Sequence, residues 1–202
     1  NGGTIDGVTI GGSSAGAGSF TTLTASGDVN FDSGTFFVDA SADAVGIGTS
    51  SPNGKIESVN TNSGADTLLF QVRNNASAAS TASSIRFVNS TSSTSTAGGG
   101  EISAVRNASD GGALTFKTAA DSTATLTERL RIDSSGNLGL GVVPSAWAGF
   151  ATFQLSRGSL AGATGEVDLS HNAYFDGAWK YIANGHATNH YQANGAYIWR
   201  TA

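Results

Sequence analysis

Apolar residues in this chain recur at every second position over short runs, and Gly, Asn, Ser and Thr separate the runs. The runs are "LLFQVRN" (68–74), "SIRFVN" (84–89), "EISAVRN" (101–107), "ALTFKT" (113–118) and "TERLRI" (127–132). In the second, Ile85 and Phe87 take one face while Arg86 and Val88 take the other. In the fourth, Leu114 and Phe116 oppose Thr115 and Lys117. Such alternation at intervals of roughly 10–18 residues, with breaks such as "STSSTSTAGGG" (90–100), predicts short strands and an all-β chain. "AADSTATLTERLRI" (119–132) carries a weak helical signal from its Ala and Glu, but its threonines favour a strand.

Three zones follow. Residues 1–36 space single apolar anchors (Ile5, Val8, Ile10, Phe20, Leu23, Val29, Phe31) among Gly, Ser and Thr. The Gly-Asp break in "TLTASGDVNF" predicts a β-arc or hairpin there. Residues 37–145 form a β module, and 146–202 an aromatic-rich zone that opens a following module. The central zone begins and ends on one device. "FVDASADAVGIGTSSP" (37–52) resembles "LRIDSSGNLGLGVVPS" (130–145), aligning Val38-Asp39 with Ile132-Asp133, Gly46 and Gly48 with Gly139 and Gly141, and Pro52 with Pro144. "LLFQVRN" after the first copy is matched to "ATFQLSRG" after the second. A period of about 93 residues points to stacked modules. In apolar-Gly-apolar-Gly, two side chains share one face and the bare glycines let backbone approach the other, which suits strands crowding a common axis. The proline then ends the strand. Asp39 and Asp133 open the turns, where a carboxylate caps nearby backbone N–H groups.

Composition sharpens this picture. Only 12% of residues are charged, against about 25% in ordinary domains. Leu, Ile, Val and Phe together make about 20%, the boundary associated with disorder, yet a net charge of −5 is too small for a solvated tail. A β-structure that shares its core with other copies reconciles the two. Without Cys there are no disulfides or zinc-thiolate sites. Without Met, Asn1 is expected to be an internal position of a longer chain. No signal peptide and no apolar run near 18 residues is present, so membrane insertion is not expected. The first base is Lys55, preceded by Asp6, Asp28, Asp32, Asp39 and Asp43. No basic stripe exists, which argues against nucleic acid.

Candidate chemistry is sparse. Gly46-Ile47-Gly48 and Gly139-Leu140-Gly141 lack the third glycine of a dinucleotide fingerprint and open no helix. Asp121, Glu128, Asp133, Glu166, Asp168 and Asp176 are the only acids available as a glycoside-cleaving pair. Asp28 or Asp32 can bind Ca²⁺ if symmetry gathers copies, or can simply keep the surface solvated. His186 and His190 have i, i+4 spacing, but "YIANGHATNHYQANGAYIW" is broken by Asn and rich in β-formers, so neither they nor His171 form an expected metal site. Asn75, Asn89 and Asn107 head acceptor-like triplets that carry no weight in so Ser/Thr-rich a chain. No catalytic residue, metal or cofactor is assigned. All three Trp and all four Tyr follow residue 145. Trp179, Tyr181, Asn189, Tyr191 and Trp199 are therefore the candidate contacts to a surface glycan or receptor. The competing reading is that large rings fill a thicker core.

"TERLRIDSSGNLGLG", "VGIGTSSP" and "TIDGVTIGG" with "GSFTTLTASGDV" resemble the repeat segments of tailed-bacteriophage tail fibre shafts, especially those of marine, cyanophage-like fibres. The resemblance covers 1–52 and 113–145 closely and 146–202 more loosely; the second copy departs from the common "GIGT" ending. It implies an elongated homotrimeric β-fibre in the virion, extracellular after release, joined to other tail proteins and contributing to host-cell attachment. Nothing matches the Ser-Lys pair of a fibre's cleaved chaperone. "YIWRTA" is expected to stop mid-strand, so any tip is expected beyond this chain. The alternatives are a polysaccharide-degrading tailspike segment, a head-attached fibre and a bacterial surface adhesin.

Overall fold

The computed structural model describes residues 21–22, 24–61, 68–76, 78–89, 99–107, 111–120 and 125–201. The anchors from Ile5 to Phe20, Leu23, most of the break at 90–100, and Asp121 lie outside the described residues. Those described are all-β, with no α-helix. They fall into two compact units, 1–71 and 72–202.

The first unit is a four-stranded sheet of β1 (Val29–Phe31), β2 (Phe36–Asp39), β3 (Ala44–Ile47) and β4 (Ile56–Ser58), in chain order. β1 starts just after the Gly-Asp break and joins β2 through a 3₁₀ turn at Asp32–Gly34. The β1–β2 and β2–β3 pairs are antiparallel and β3–β4 is parallel.

The second unit holds a ten-stranded sheet whose edges, β5 and β16, stay open. Its first four strands are β5 (Ala82–Phe87), β6 (Gly100–Arg106), β7 (Gly112–Ala119) and β8 (Leu126–Ile132), at the four positions that alternation predicts. Next come β9 (Leu138–Leu140), β10 (Ala151–Leu155), β11 (Gly158–Ala163) and β12 (Glu166–His171). β13 (Ala173–Phe175) and β14 (Trp179–Tyr181) form a separate hairpin, and β15 (Thr188–Ala193) and β16 (Ala196–Thr201) return to the sheet. Neighbours are antiparallel except β9–β10, so the sheet runs unbroken across positions 145 and 146. The expected strand at 68–74 is absent. Leu68, Leu69 and Phe70 are exposed there, because an extended segment becomes a strand only where a ladder partner takes up its backbone groups.

Register separates the two faces of the large sheet, since paired residues project to the same side. One face carries Ile102–Phe116–Leu130–Leu140–Leu155 and, further along, Phe153–Leu160–Leu169–His190–Trp199. The other carries Glu101, Ser103, Thr115, Gln154, Ser159, Asp168 and Asn189. Burial is inverted relative to polarity. Thr115 is 0% and Asp168 1% exposed, while Leu160 is 50%, Leu169 59% and Trp199 76% exposed. In the four-stranded sheet Phe36, Ile47 and Ile56 are likewise exposed, but the opposite face buries Phe37 and Ala44, so no polar face is enclosed there. The polar face of the large sheet is covered from within the chain: Arg86 and Lys117 close over Glu101, and the segment after β9 folds across Gln154.

Candidate functional site: the connector and the aromatic cluster

The repeated device is a single three-dimensional motif. In each copy an antiparallel hairpin, β2–β3 or β8–β9, has a carboxylate at its turn. Asp39 Oδ1 accepts hydrogen bonds from Ser41 N–H and Ala42 N–H, both at 2.9 Å, and from the Ser41 hydroxyl at 2.7 Å. The Ser41 hydroxyl first, and Ala42 N–H second, hold the Asp39 carboxyl below its ordinary value. Asp133 Oδ1 accepts from Ser135 N–H and Asn137 N–H at 2.9 Å. The capping role expected of both acids is present. Register is equivalent too: Val38 faces Val45 as Ile132 faces Leu138, and Phe36 faces Ile47 as Leu130 faces Leu140.

The glycines show what the bare face is for. A Cβ on Gly46 would lie 2.1 Å from the Thr49 carbonyl oxygen, and one on Gly139 would lie 2.2 Å from the Val142 carbonyl oxygen. The backbone that closes on each glycine belongs to the chain's own turn, three residues on, so the expected crowding at a common axis is not what these glycines serve here. Gly48 and Gly141 hold φ of +74° and +70°, the left-handed region that glycine enters without a Cβ penalty. The left-handed step starts the crossover that brings the chain back parallel to its own strand.

A third part of the motif escaped sequence reading. The residue paired with Gly46 is Glu57, and the residue paired with Gly139 is Gln154. Glu57 Oε2 accepts from Asn53 N–H at 2.7 Å, and Gln154 Oε1 accepts from Ser145 N–H at 2.9 Å. Each acceptor therefore catches the N–H immediately after the motif's proline, Pro52 or Pro144. Gln154 also receives the Trp147 indole N–H at 3.3 Å. The strand equivalent to "ATFQLSRG" is thus β4, and matching it to "LLFQVRN" is corrected. The crossover loops differ in length, so no fixed spacing reveals Glu57 and Gln154.

The five candidate contacts do not converge. Trp179 belongs to an aromatic cluster, with ring centroids 6.2 Å from Trp147, 6.3 Å from Phe150 and 5.6 Å from Phe175. Ala148 N–H donates to Phe175 O, tying this cluster to the β13–β14 hairpin. Trp179 and Asn189 share a cavity of about 180 Å³ with Ala173, Ala187 and Arg200. Asn189 is buried and donates to Asp168 Oδ1 at 2.8 Å. Tyr191 is buried beneath the Arg200 guanidinium, 4.4 Å from the ring centroid. Tyr181 is exposed on the hairpin, while Trp199 lies on the opposite, apolar face, stacked on His190 at 4.2 Å. No family model and no curated protein matches the chain.

Of the remaining acids, Asp28, Glu101, Glu128 and Asp176 have local partners. Asp28 Oδ1 accepts from Ala40 N–H, Glu128 pairs with Arg131, and Asp176 with Lys180. Glu101 is the most perturbed of them. Its carboxyl is pulled down to about 2 by hydrogen bonds from Lys117, then Ser103, then Arg86. Among the described residues no three His, Asp or Glu side chains gather as a metal site.

Proposed function

We propose that this chain is a segment of the shaft of a bacteriophage tail fibre, built as a homotrimer. Its work is mechanical: it spans distance between the virion and the host and supports an attachment end. The observation that carries this reading is the exposed apolar face, which recurs at equivalent positions of both connector copies. Contiguous apolar patches beyond a few hundred Å² mark interaction surfaces, and burying each Leu, Ile or Phe contributes roughly 1.5–3 kcal/mol. A chain with a polar inner face and an apolar outer face gains most of its stability from neighbours. Threefold symmetry and the virion context come from the sequence resemblance. On this reading Trp199 and Tyr197 belong to the interchain core, and of the candidate contacts the exposed Tyr181 and the half-buried Trp179 at its cavity remain available to a receptor glycan. Light scattering on the 202-residue chain tests it. A mass three times 20.2 kDa is expected, and a folded monomer would overturn the shared-core fibre.

A further inference from the structure

Five buried oxygens of the described residues have no hydrogen-bond partner: Thr152 Oγ1, Ser159 Oγ, Asp168 Oδ2, Ser170 Oγ and Asn189 Oδ1. Each of these side chains is more than nine-tenths buried, and all five lie on the polar face of neighbouring strands. Ser159 pairs with Ser170, and Ser170 pairs with Asn189, so these three stand in one row across β11, β12 and β15. Asp168 is two residues from Ser170 on the same face, and its Oδ1 already holds Asn189 Nδ2. Thr152 sits farther off, across Ala161 from Asp168.

The chemistry of this row is one-sided. Asp168 Oδ2 and Asn189 Oδ1 can only accept, and the serine hydroxyls can present lone pairs. The ion pairs of the described residues use Asp43, Glu101, Glu128 and Asp176, and none reaches Asp168. The nearest base along the row, Arg200, lies over the Tyr191 ring and donates to its hydroxyl. A buried carboxylate without a counter-charge is costly. Water would satisfy hydroxyls but would leave the charge uncompensated.

We propose that Asp168 Oδ2, Asn189 Oδ1 and Ser170 Oγ, the three that lie on adjacent strands beside the Asn189–Asp168 hydrogen bond, hold a hard monovalent cation of sodium's class. An all-oxygen donor set is the kind that hard cations take. One carboxylate among neutral oxygens balances a single positive charge, whereas a divalent ion would leave a net charge buried. Bound there, the ion ties β12 and β15 together on the face away from the apolar surface.

The test is thermal unfolding of the full chain at equal ionic strength in sodium chloride and in choline chloride. The midpoint is expected to be several degrees higher in sodium and to rise saturably with its concentration. Asp168→Asn should abolish that increment. Ser170→Ala, which keeps the carboxylate, should shift half-saturation to at least tenfold higher sodium, and it serves if the first variant folds poorly. Equal midpoints in the two salts for the parent chain overturn the proposal. So does stabilisation by millimolar calcium with none by sodium.

Discussion

Gly139→Ala is the sharpest probe of the connector. The new Cβ would sit 2.2 Å from the Val142 carbonyl oxygen and 2.9 Å from Pro144 Cδ, where comfortable contact needs about 3.5 Å. The strand is held on both sides, by β8 and β10, so the loop must retreat by about an ångström. Overpacking of this kind costs about 1–3 kcal/mol. The retreat also draws Ser145 N–H and the Trp147 indole away from Gln154, at about 1 kcal/mol per hydrogen bond. A loss of about 2–4 kcal/mol follows. At about 2–4 °C per kcal/mol for a chain of this size, the midpoint should fall by roughly 5–15 °C. The assay is circular-dichroism melting at one fixed protein concentration, because association also moves the midpoint. Gly162→Ala is the matched control. It lies in β11 with nothing of its own chain within 4 Å of the added methyl, so in the dissociated chain it should be neutral or stabilising by up to about 1 kcal/mol. Gly139→Ala combined with Gln154→Ala should cost less than the sum of the two, since both loosen the same loop. Equal midpoints for Gly139→Ala and Gly162→Ala would refute the close-approach argument.

Other outcomes are expected from the same geometry. The Glu101 carboxyl lies at about 2 in the folded chain against an ordinary 4.5, so its stabilisation is complete above about pH 4.5 and is lost as pH falls toward 2; Glu101→Gln should flatten the acid limb of a stability-versus-pH curve over that window. Trp147→Ala should cost about 3–5 kcal/mol by emptying the aromatic cluster, in which Trp147 is the buried ring, seen as a large fall in melting midpoint. Trp199→Ala should leave the midpoint of a dissociated chain little changed while weakening association in sedimentation measurements. Leu160→Asp with Leu169→Asp, paired across β11 and β12, should reduce the measured mass to that of one chain. A multimer of unchanged mass would show that this face is not the interface.

Much of the strand plan was legible in the sequence, because alternation at period two and Gly, Asn and Asp breaks act locally. Ile85, Phe116 and Leu130 announced their strands, and Asp39 and Asp133 their turns, through neighbours a few residues away. The likeness of the stretches at 37–52 and 130–145 was legible too, since their glycines and turn carboxylates are needed by local backbone geometry. What alternation cannot say is which face lies inward. It separates Leu169 from Asp168 but not inside from outside, because that depends on what the rest of the chain lays against each face. Only the folded chain showed the polar face enclosed and the apolar face open. Tertiary structure alone also decided that Val142 and Thr49 fill the space beside Gly139 and Gly46, and that Glu57 and Gln154 are equivalents. The Glu101 cluster likewise joins strands whose members lie 15 and 16 residues apart. Each of these contacts rests on cross-strand register, set by turn and loop lengths together, and no single stretch of sequence carries that information.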